Sequence, residues 1–256
     1  MKTELTKELL ITELKTKTPQ DIAIKYKYHV DTVRAKIRKF NILRSRHAHL
    51  INNDFFKIIN CDSAYILGFL FADGSINTSL HHNQINVQLN KKDIEVLNFI
   101  KEKIQPTSNV HIYDRIDKRT KKKFKIAFVS FSSKEIVKDL INLGCIPNKT
   151  YKEIRVPHIP EQFYPDFIRG VFDGDGSVYF LKKRNARSSI CCSSLPFIKD
   201  LQNIIGFGKI CISSNPYKLQ FYSKKDIQNF YHYMYNGNFC LKRKFEKFNE
   251  VIKKYE

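Results

Sequence analysis

The 256-residue chain carries 45 Lys and Arg against 25 Asp and Glu, a formal net charge of +20 at pH 7, and 42% of its residues are hydrophobic. The apolar share supports a packed core and excludes a disordered polycation. The charge points to a polyanion, with nucleic acid first and an anionic membrane surface or ribosomal RNA as the alternative. No apolar run reaches the ~20 residues that span a bilayer, and Glu4 and Lys7 interrupt the start where a signal peptide is apolar, so neither a membrane span nor secretion is expected.

Residues 3–42 predict a separate helical module. Leu5, Leu9, Leu10 and Leu14 form a helical stripe, and Thr18-Pro19 reads as an N-cap followed by proline at the first helical position. A break at Lys27-Tyr28-His29 precedes a second run in which Val30, Val33 and Ile37 face inward, leaving Thr32, Arg34, Lys36 and Arg38 outside. The pattern resembles a helix-turn-helix with Asp31 to Phe40 as the helix that enters the major groove. A helical pair that merely packs on the main domain is the alternative. Residues 43–60 read as a basic connector in which Arg44 and Arg46 follow phosphates.

Next comes Ala64-Tyr65-Ile66-Leu67-Gly68-Phe69-Leu70-Phe71-Ala72-Asp73-Gly74-Ser75-Ile76, an apolar helical run closed by Asp-Gly-Ser and a β-branched residue. The same pattern returns at Pro165-Asp166-Phe167-Ile168-Arg169-Gly170-Val171-Phe172-Asp173-Gly174-Asp175-Gly176-Ser177-Val178. Gly68 and Ala72 share one helix face, as do Gly170 and Gly174. Such stripes admit a close neighbouring backbone, without which a mid-helix glycine costs about 0.5–1 kcal/mol, so the two helices are expected to pack on each other. Side by side in parallel, they bring Asp73 and Asp175 together at their C-terminal ends, beside carbonyls that already carry about half a negative charge. That cluster of hard oxygens calls for a divalent cation such as Mg2+. Gly74 and Gly176 are expected to let the chain turn sharply out of each helix. Asp173 to Ser177 also imitates the start of a calcium loop, but Val178 and Arg184 stand where that loop needs Gly and Glu.

After each motif the halves align. Ile85 to Leu89 reads as a strand followed by a helix marked by Ile94, Leu97 and Ile100; Ser189 to Cys192 precedes Ile198, Leu201 and Ile204. Asn109 to Tyr113 matches Lys209 to Ile212, and Phe124 to Phe128 matches Tyr217 to Phe221. Each half therefore reads α-β-β-α-β-β-α. The boundaries are 1–42, 43–60, 61–146, a proline-bearing linker at 147–163, and 164–256. A sheet with one face on helices leaves alternate side chains for DNA, with Asn86, Gln88, His111, Gln220 and Tyr222 as candidates for base contacts. Lys118, Arg119, Lys121, Lys122 and Lys123 in one half, and Lys182, Lys183, Arg184 and Arg187 in the other, gather at turns and suit phosphates. Cys61, Cys145, Cys191, Cys192, Cys211 and Cys240 form no C-x-x-C pair and read as buried free thiols of a reducing compartment, cytoplasmic or organellar.

Ile66 to Gly74 and Ile168 to Gly176 resemble the nine-residue motif that names the LAGLIDADG homing endonucleases, in their two-motif, single-chain form. The resemblance covers about residues 61–256. It implies an α+β fold in which two pseudo-symmetric αββαββα repeats form a saddle of two antiparallel sheets, beside the small all-α N-terminal module. It further implies a monomeric, site-specific endonuclease that makes a metal-dependent double-strand break in a long double-stranded DNA target. Asp73 and Asp175 would bind the catalytic metals, with Gly74 and Gly176 in the same metal set; Mg2+ is expected, and Mn2+ or Ca2+ would occupy the same site. The family places a lysine just after the last helix of each half, which selects Lys149 and Lys244 as charge stabilisers or water-orienting groups. Phe71 departs from the family's earlier acid, which Asp173 retains, and Arg169 stands where a small residue is usual. Two other readings stay open: a non-cleaving, sequence-specific DNA-binding regulator, and an RNA-binding maturase whose partner is intron RNA.

Overall fold

The computed structural model describes residues 3–14, 17–42, 51–79, 82–106, 108–117, 119–181, 185–213 and 216–255. The chain divides into two units, residues 1–51 and 52–256.

In the first unit, α1 (Lys7–Leu14), α2 (Pro19–Tyr26) and α3 (Val30–Lys39) enclose a small apolar core. Thr18 caps α2 reciprocally: its hydroxyl accepts from the Asp21 amide at 3.2 Å, and the Asp21 carboxylate accepts from the Thr18 amide at 3.0 Å. Lys27, at φ 56°, then turns the chain out of the helix. Leu5, Leu10, Ile22, Ala23, Val33 and Ile37 are buried together. Thr32, Arg34 and Arg38 stay exposed on α3. Arg34 pairs with Asp31 at 3.1 Å, and Lys36 donates to the Leu5 carbonyl at 3.3 Å.

The second unit is a duplication. One half runs α4 (Cys61–Asp73), β1 (Gly74–Ser79), β2 (His82–Asn90), α5 (Ile94–Ile104), β3 (His111–Ile116), β4 (Lys123–Ser132) and α6 (Lys134–Asn142). The other runs α7 (Tyr164–Asp175), β5 (Gly176–Phe180), β6 (Ala186–Cys192), α8 (Leu195–Ile205), β7 (Lys209–Cys211), β8 (Tyr217–Phe221) and α9 (Lys224–Met234). A final helix, α10 (Lys242–Lys253), has no counterpart in the repeat and buries Phe248, Val251 and Ile252. The antiparallel sheets have matching orders, β1-β2-β4-β3 and β5-β6-β8-β7. Ile85, Val87, Leu89, Ala127, Val129 and Phe131 line the buried face of the first; Val178, Ala186, Ile190, Leu219 and Phe221 line that of the second. The alternate residues form an open face on each sheet.

α4 and α7 cross along their small residues. A Cβ at Gly68 would strike the Phe167 carbonyl, one at Gly170 the Tyr65 carbonyl, and one at Gly174 the Ala72 side chain. These contacts climb both helices in the same direction, so the helices run parallel and end side by side. Gly74 and Gly176 differ from expectation. Their φ angles of −74° and −86° are extended, not left-handed. Glycine is needed there because a side chain would collide with the last turn of its own helix: the Cα and carbonyl oxygen of Leu70 lie 2.8 Å from a Cβ at position 74, and Phe172 blocks position 176.

Each half braces the segment that leaves the other. Beyond α6, Ile154 donates to the Ser194 hydroxyl at 3.1 Å, and Val156 to the Asp200 carboxylate at 3.2 Å, on the α8 side. Beyond α9, Arg243 grips Asp93 with both arms (2.5 and 2.8 Å), and the Lys242 amide donates to Glu95 at 2.8 Å, on the α5 side. The linker thus docks on the second half as well as spanning the gap. The connector expected over 43–60 ends earlier than that. Phe55 and Phe56 are buried and Asn52 bonds to the Ile104 carbonyl at 2.8 Å, because this stretch caps the second unit's core. Arg44 and Arg46 lie outside the described residues. The thiols are free, but only Cys145 is buried; the other five are half-buried at strand and helix ends.

Candidate active site at the paired helix ends

Asp73 and Asp175 are the last residues of α4 and α7. Both side chains reach solvent. Each is nonetheless flanked by helix ends, and desolvation, reinforced by Asp175 opposite, pushes the Asp73 carboxyl up to about 6. Asp175 is raised by the same desolvation, against the pull of Lys149 and Lys244.

The two lysines arrive from the braced segments. Lys149 opens a short 3-10 helix and donates to the Gly74 carbonyl. Lys244 lies in the first turn of α10, is 8% exposed, and donates to the carbonyls of Phe172 (2.7 Å), Gly174 (3.1 Å) and Gly176 (2.7 Å). It caps the C-terminus of α7 in place of a left-handed glycine, an arrangement favoured by the negative end of the helix dipole. Desolvation lowers this ammonium to about 8. The halves are therefore unequal, with one half-buried lysine on a single carbonyl and one buried lysine on three. The carbonyls of Gly74 and Gly176, included with the metal set on sequence grounds, are each engaged by an ammonium.

One retained motif acid and one departure from the motif build the support beneath. Asp173 is buried; its Oδ2 accepts from the Tyr65 hydroxyl at 2.8 Å and from the Leu241 amide at 2.7 Å, which fixes the entry to α10 three residues before Lys244. Arg169 is 1% exposed. Its guanidinium donates to Asp166 (2.5 Å), Met234 O (2.7 Å), Asn236 Oδ1 (3.2 Å) and Phe239 O (2.9 Å), so it holds the loop between α9 and α10. Phe71, opposite in the repeat, packs against Phe167 and Phe197 with centroids 5.4 and 5.7 Å away. An acid there would have been buried among rings. The sequence showed Asp173 only as a retained motif acid and Arg169 only as a motif variant; apart from Asp166, their partners are too distant in the chain to read.

Among the described residues no group of three or more His, Cys, Asp and Glu side chains converges. The donor set is thus the two carboxylates, all oxygen, since the helix-end carbonyls are taken by the lysines. It fits a hard cation such as Mg2+, which completes its shell with water and substrate phosphate rather than with a full protein cage.

On the open faces the strand registers place Asn86, Gln88 and His111 on the first sheet and Arg187 and Gln220 on the second, with Tyr222 just past β8. Arg119, Lys121 and Lys122 are exposed between β3 and β4, and Lys123 is exposed at the start of β4. Lys118 of the same cluster lies outside the described residues; the expected partners in the other half belong to a different hairpin, where Arg187 lies on β6 directly after the β5–β6 connection and Lys182, Lys183 and Arg184 lie outside the described residues. The two basic clusters are therefore not equivalent positions of the repeat, since one follows β3 and the other follows β5. Sequence reasoning missed Tyr113, whose hydroxyl donates to Gln88 at 3.0 Å, and Ser130, which accepts from Gln84 at 2.7 Å. The period of two through β3 and β4 carried that signal.

No family model matches the chain. It is 25% identical over 197 residues, 74% of its length, to a "Probable translation initiation factor IF-2" of Thermococcus kodakarensis, and spans 15% of that relative's length. Among solved structures it is similar to the homing endonuclease I-WcaI bound to its DNA recognition sequence, with a TM-score of 0.55, 15% identity, and coverage of 75% of this chain and 90% of that one. It is similar too to the LAGLIDADG meganuclease I-AabMI bound to uncleaved DNA, with a TM-score of 0.52, 13% identity, and coverage of 76% and 91%. The chain has the LAGLIDADG saddle fold.

Proposed function

We propose that this chain is a site-specific DNA endonuclease that cuts both strands of a duplex at the paired ends of α4 and α7. One observation carries the reading: two solvent-reaching aspartates end parallel helices held at backbone contact, and each half supplies its own lysine there. Asp73 and Asp175 would hold the divalent cation. Bound there, that cation would neutralise the scissile phosphate and help hold the attacking and leaving oxygens. Lys149 and Lys244 hold positive charge beside the carboxylates. The open faces of the two sheets, and the basic turns around them, take the duplex on either side, sorted into base edges and phosphates. Both halves reside in one chain, so a monomer suffices, and the similarity to solved complexes with DNA is consistent with duplex as partner. Residues 1–42 serve as a second, helix-turn-helix DNA module through the exposed face of α3.

The test is cleavage of a randomised duplex library with Mg2+, beside Asp175→Asn and EDTA controls. Cut ends enriched by wild type alone support the reading. Metal-independent retention of one sequence without cutting replaces it with the regulator, and preference for structured RNA over duplex replaces it with the maturase.

A further inference from the structure

The two open faces share a register but not a chemistry. β1 opens at Gly74, directly after Asp73 and opposite Val87; β5 opens at Gly176, directly after Asp175 and opposite Ile190. Val87 in turn pairs with Val129, and Ile190 with Leu219. These pairs match one sheet to the other residue by residue. One residue further along β2 and β6 the side chains turn to the open face. There the row reads Gln88, Phe128, His111 across β2, β4 and β3, and Cys191, Lys218, Cys211 across β6, β8 and β7. In the middle of the row, a ring in one half holds the place of an ammonium in the other.

Phe128 and Lys218 are both half-buried. The ammonium has therefore lost part of its water, while its neighbours in the row are two thiols and no carboxylate. Its N–H donors call for acceptors from outside. The phenyl ring neither donates nor accepts, so only an apolar group completes its packing. In the major groove guanine offers two acceptors, N7 and O6, cytosine offers a donor, and thymine carries a methyl group.

Resting on the reading of these faces as the duplex-binding surface, we infer that Phe128 and Lys218 are specificity-determining residues that make the two halves of the target unlike. Phe128 takes an A·T pair through the thymine methyl, and Lys218 takes a G·C pair through the guanine edge. Because the two residues are equivalent in the repeat, these base pairs lie at equal distances on either side of the centre of the site. The duplicated frame alone would suit a palindrome; this row breaks it.

The test is binding selection with the full chain on a randomised duplex library in EDTA, so that no cutting intervenes, repeated with Lys218→Met, Lys218→Phe and Phe128→Lys. Each exchange installs the residue that the other sheet already holds at the equivalent place, Lys218→Met removes the charge at similar length, and thermal melting verifies each fold. Lys218→Met should flatten the G·C preference at one base pair, by roughly 5- to 20-fold in discrimination. Lys218→Phe should turn that pair to A·T, and Phe128→Lys should turn its counterpart in the other half to G·C. Should Phe128→Lys fail to fold, the two Lys218 variants decide. If Lys218→Met instead weakens all sequences alike and makes the salt slope shallower by about 1, Lys218 holds a phosphate and the inference falls. If the folded variants enrich the wild-type motif to the same depth, the inference falls and the endonuclease reading stands. If wild type enriches no duplex sequence, both fall.

Discussion

The hydroxyl of Tyr65 in α4 donates to the Asp173 carboxylate of α7 across 2.8 Å, and Asp173 accepts the Leu241 amide with the same oxygen. One buried carboxylate thus ties the helix pair to the segment that delivers Lys244. Its other oxygen has no hydrogen-bond partner among the described residues. Desolvation outweighs the two bonds and pushes the group up to about 6.

A folded-state value above the unfolded ~3.9 means the native state holds the proton more tightly. Asp173 therefore favours folding most below pH ~4, loses that contribution as pH rises towards 6, and adds no further change above. Asp173→Asn keeps an acceptor for Tyr65 and Leu241 but removes the titration. The difference in melting temperature, variant minus wild type, should rise between pH 4 and 6 and then level, by up to about 3 kcal/mol in stability. Scanning fluorimetry of both proteins across that range checks it; a flat difference contradicts the assignment.

Gly68 and Gly170 each face a carbonyl of the opposing helix. At an open helical site, Gly→Ala stabilises by about 0.5–1 kcal/mol. Here the added methyl must separate two backbones, so Gly68→Ala and Gly170→Ala should destabilise by about 1–3 kcal/mol or more. Denaturant unfolding reads the sign directly, and a stabilised variant would show that the helices do not approach this closely.

The close helix pair was legible because it depends on spacing within each motif: Gly68 to Ala72 and Gly170 to Gly174 lie one turn apart. The succession of helices and strands in each half followed for the same reason, since a period of two marks a strand locally; the spatial order of the strands in each sheet did not. Lys149 and Lys244 were reached only through family likeness, as nothing near them in sequence marks a lysine that caps another helix. Arg243 and Asp93 were not legible at all. They are separated by 150 residues, and neither side carries a local pattern that names its partner. Gly74 and Gly176 show the converse failure: the glycine was noticed, but its reason is a collision with Leu70 or Phe172 and not a turn.

The two lysines should respond differently to removal. Lys244→Met strips a buried donor from three carbonyls, which should cost about 2–4 kcal/mol of stability. Lys149→Met leaves one carbonyl on a half-buried site and should cost about 1 kcal/mol. Cleavage of a target recovered by selection should slow in both, by ~100-fold or more if each lysine stabilises developing charge. Equal stability losses would show that the asymmetric capping is not real. An undiminished rate in either variant would remove that lysine from the chemistry.

The N-terminal unit is testable through salt alone. Arg38 and Lys39 lie exposed on α3, whereas Arg34 and Lys36 already have partners within the unit. Each phosphate contact contributes a slope of about −0.9 to the dependence of log affinity on log salt. Deleting residues 1–42 should therefore weaken duplex binding and make the slope shallower by about 2, while the cutting position on a selected target stays the same. Titrations of full and truncated protein at several salt concentrations measure both quantities. A truncated protein with an unchanged slope would show that α3 makes no phosphate contacts. A shifted cutting position would show that the first unit, and not the open faces of the two sheets, sets the register of the duplex.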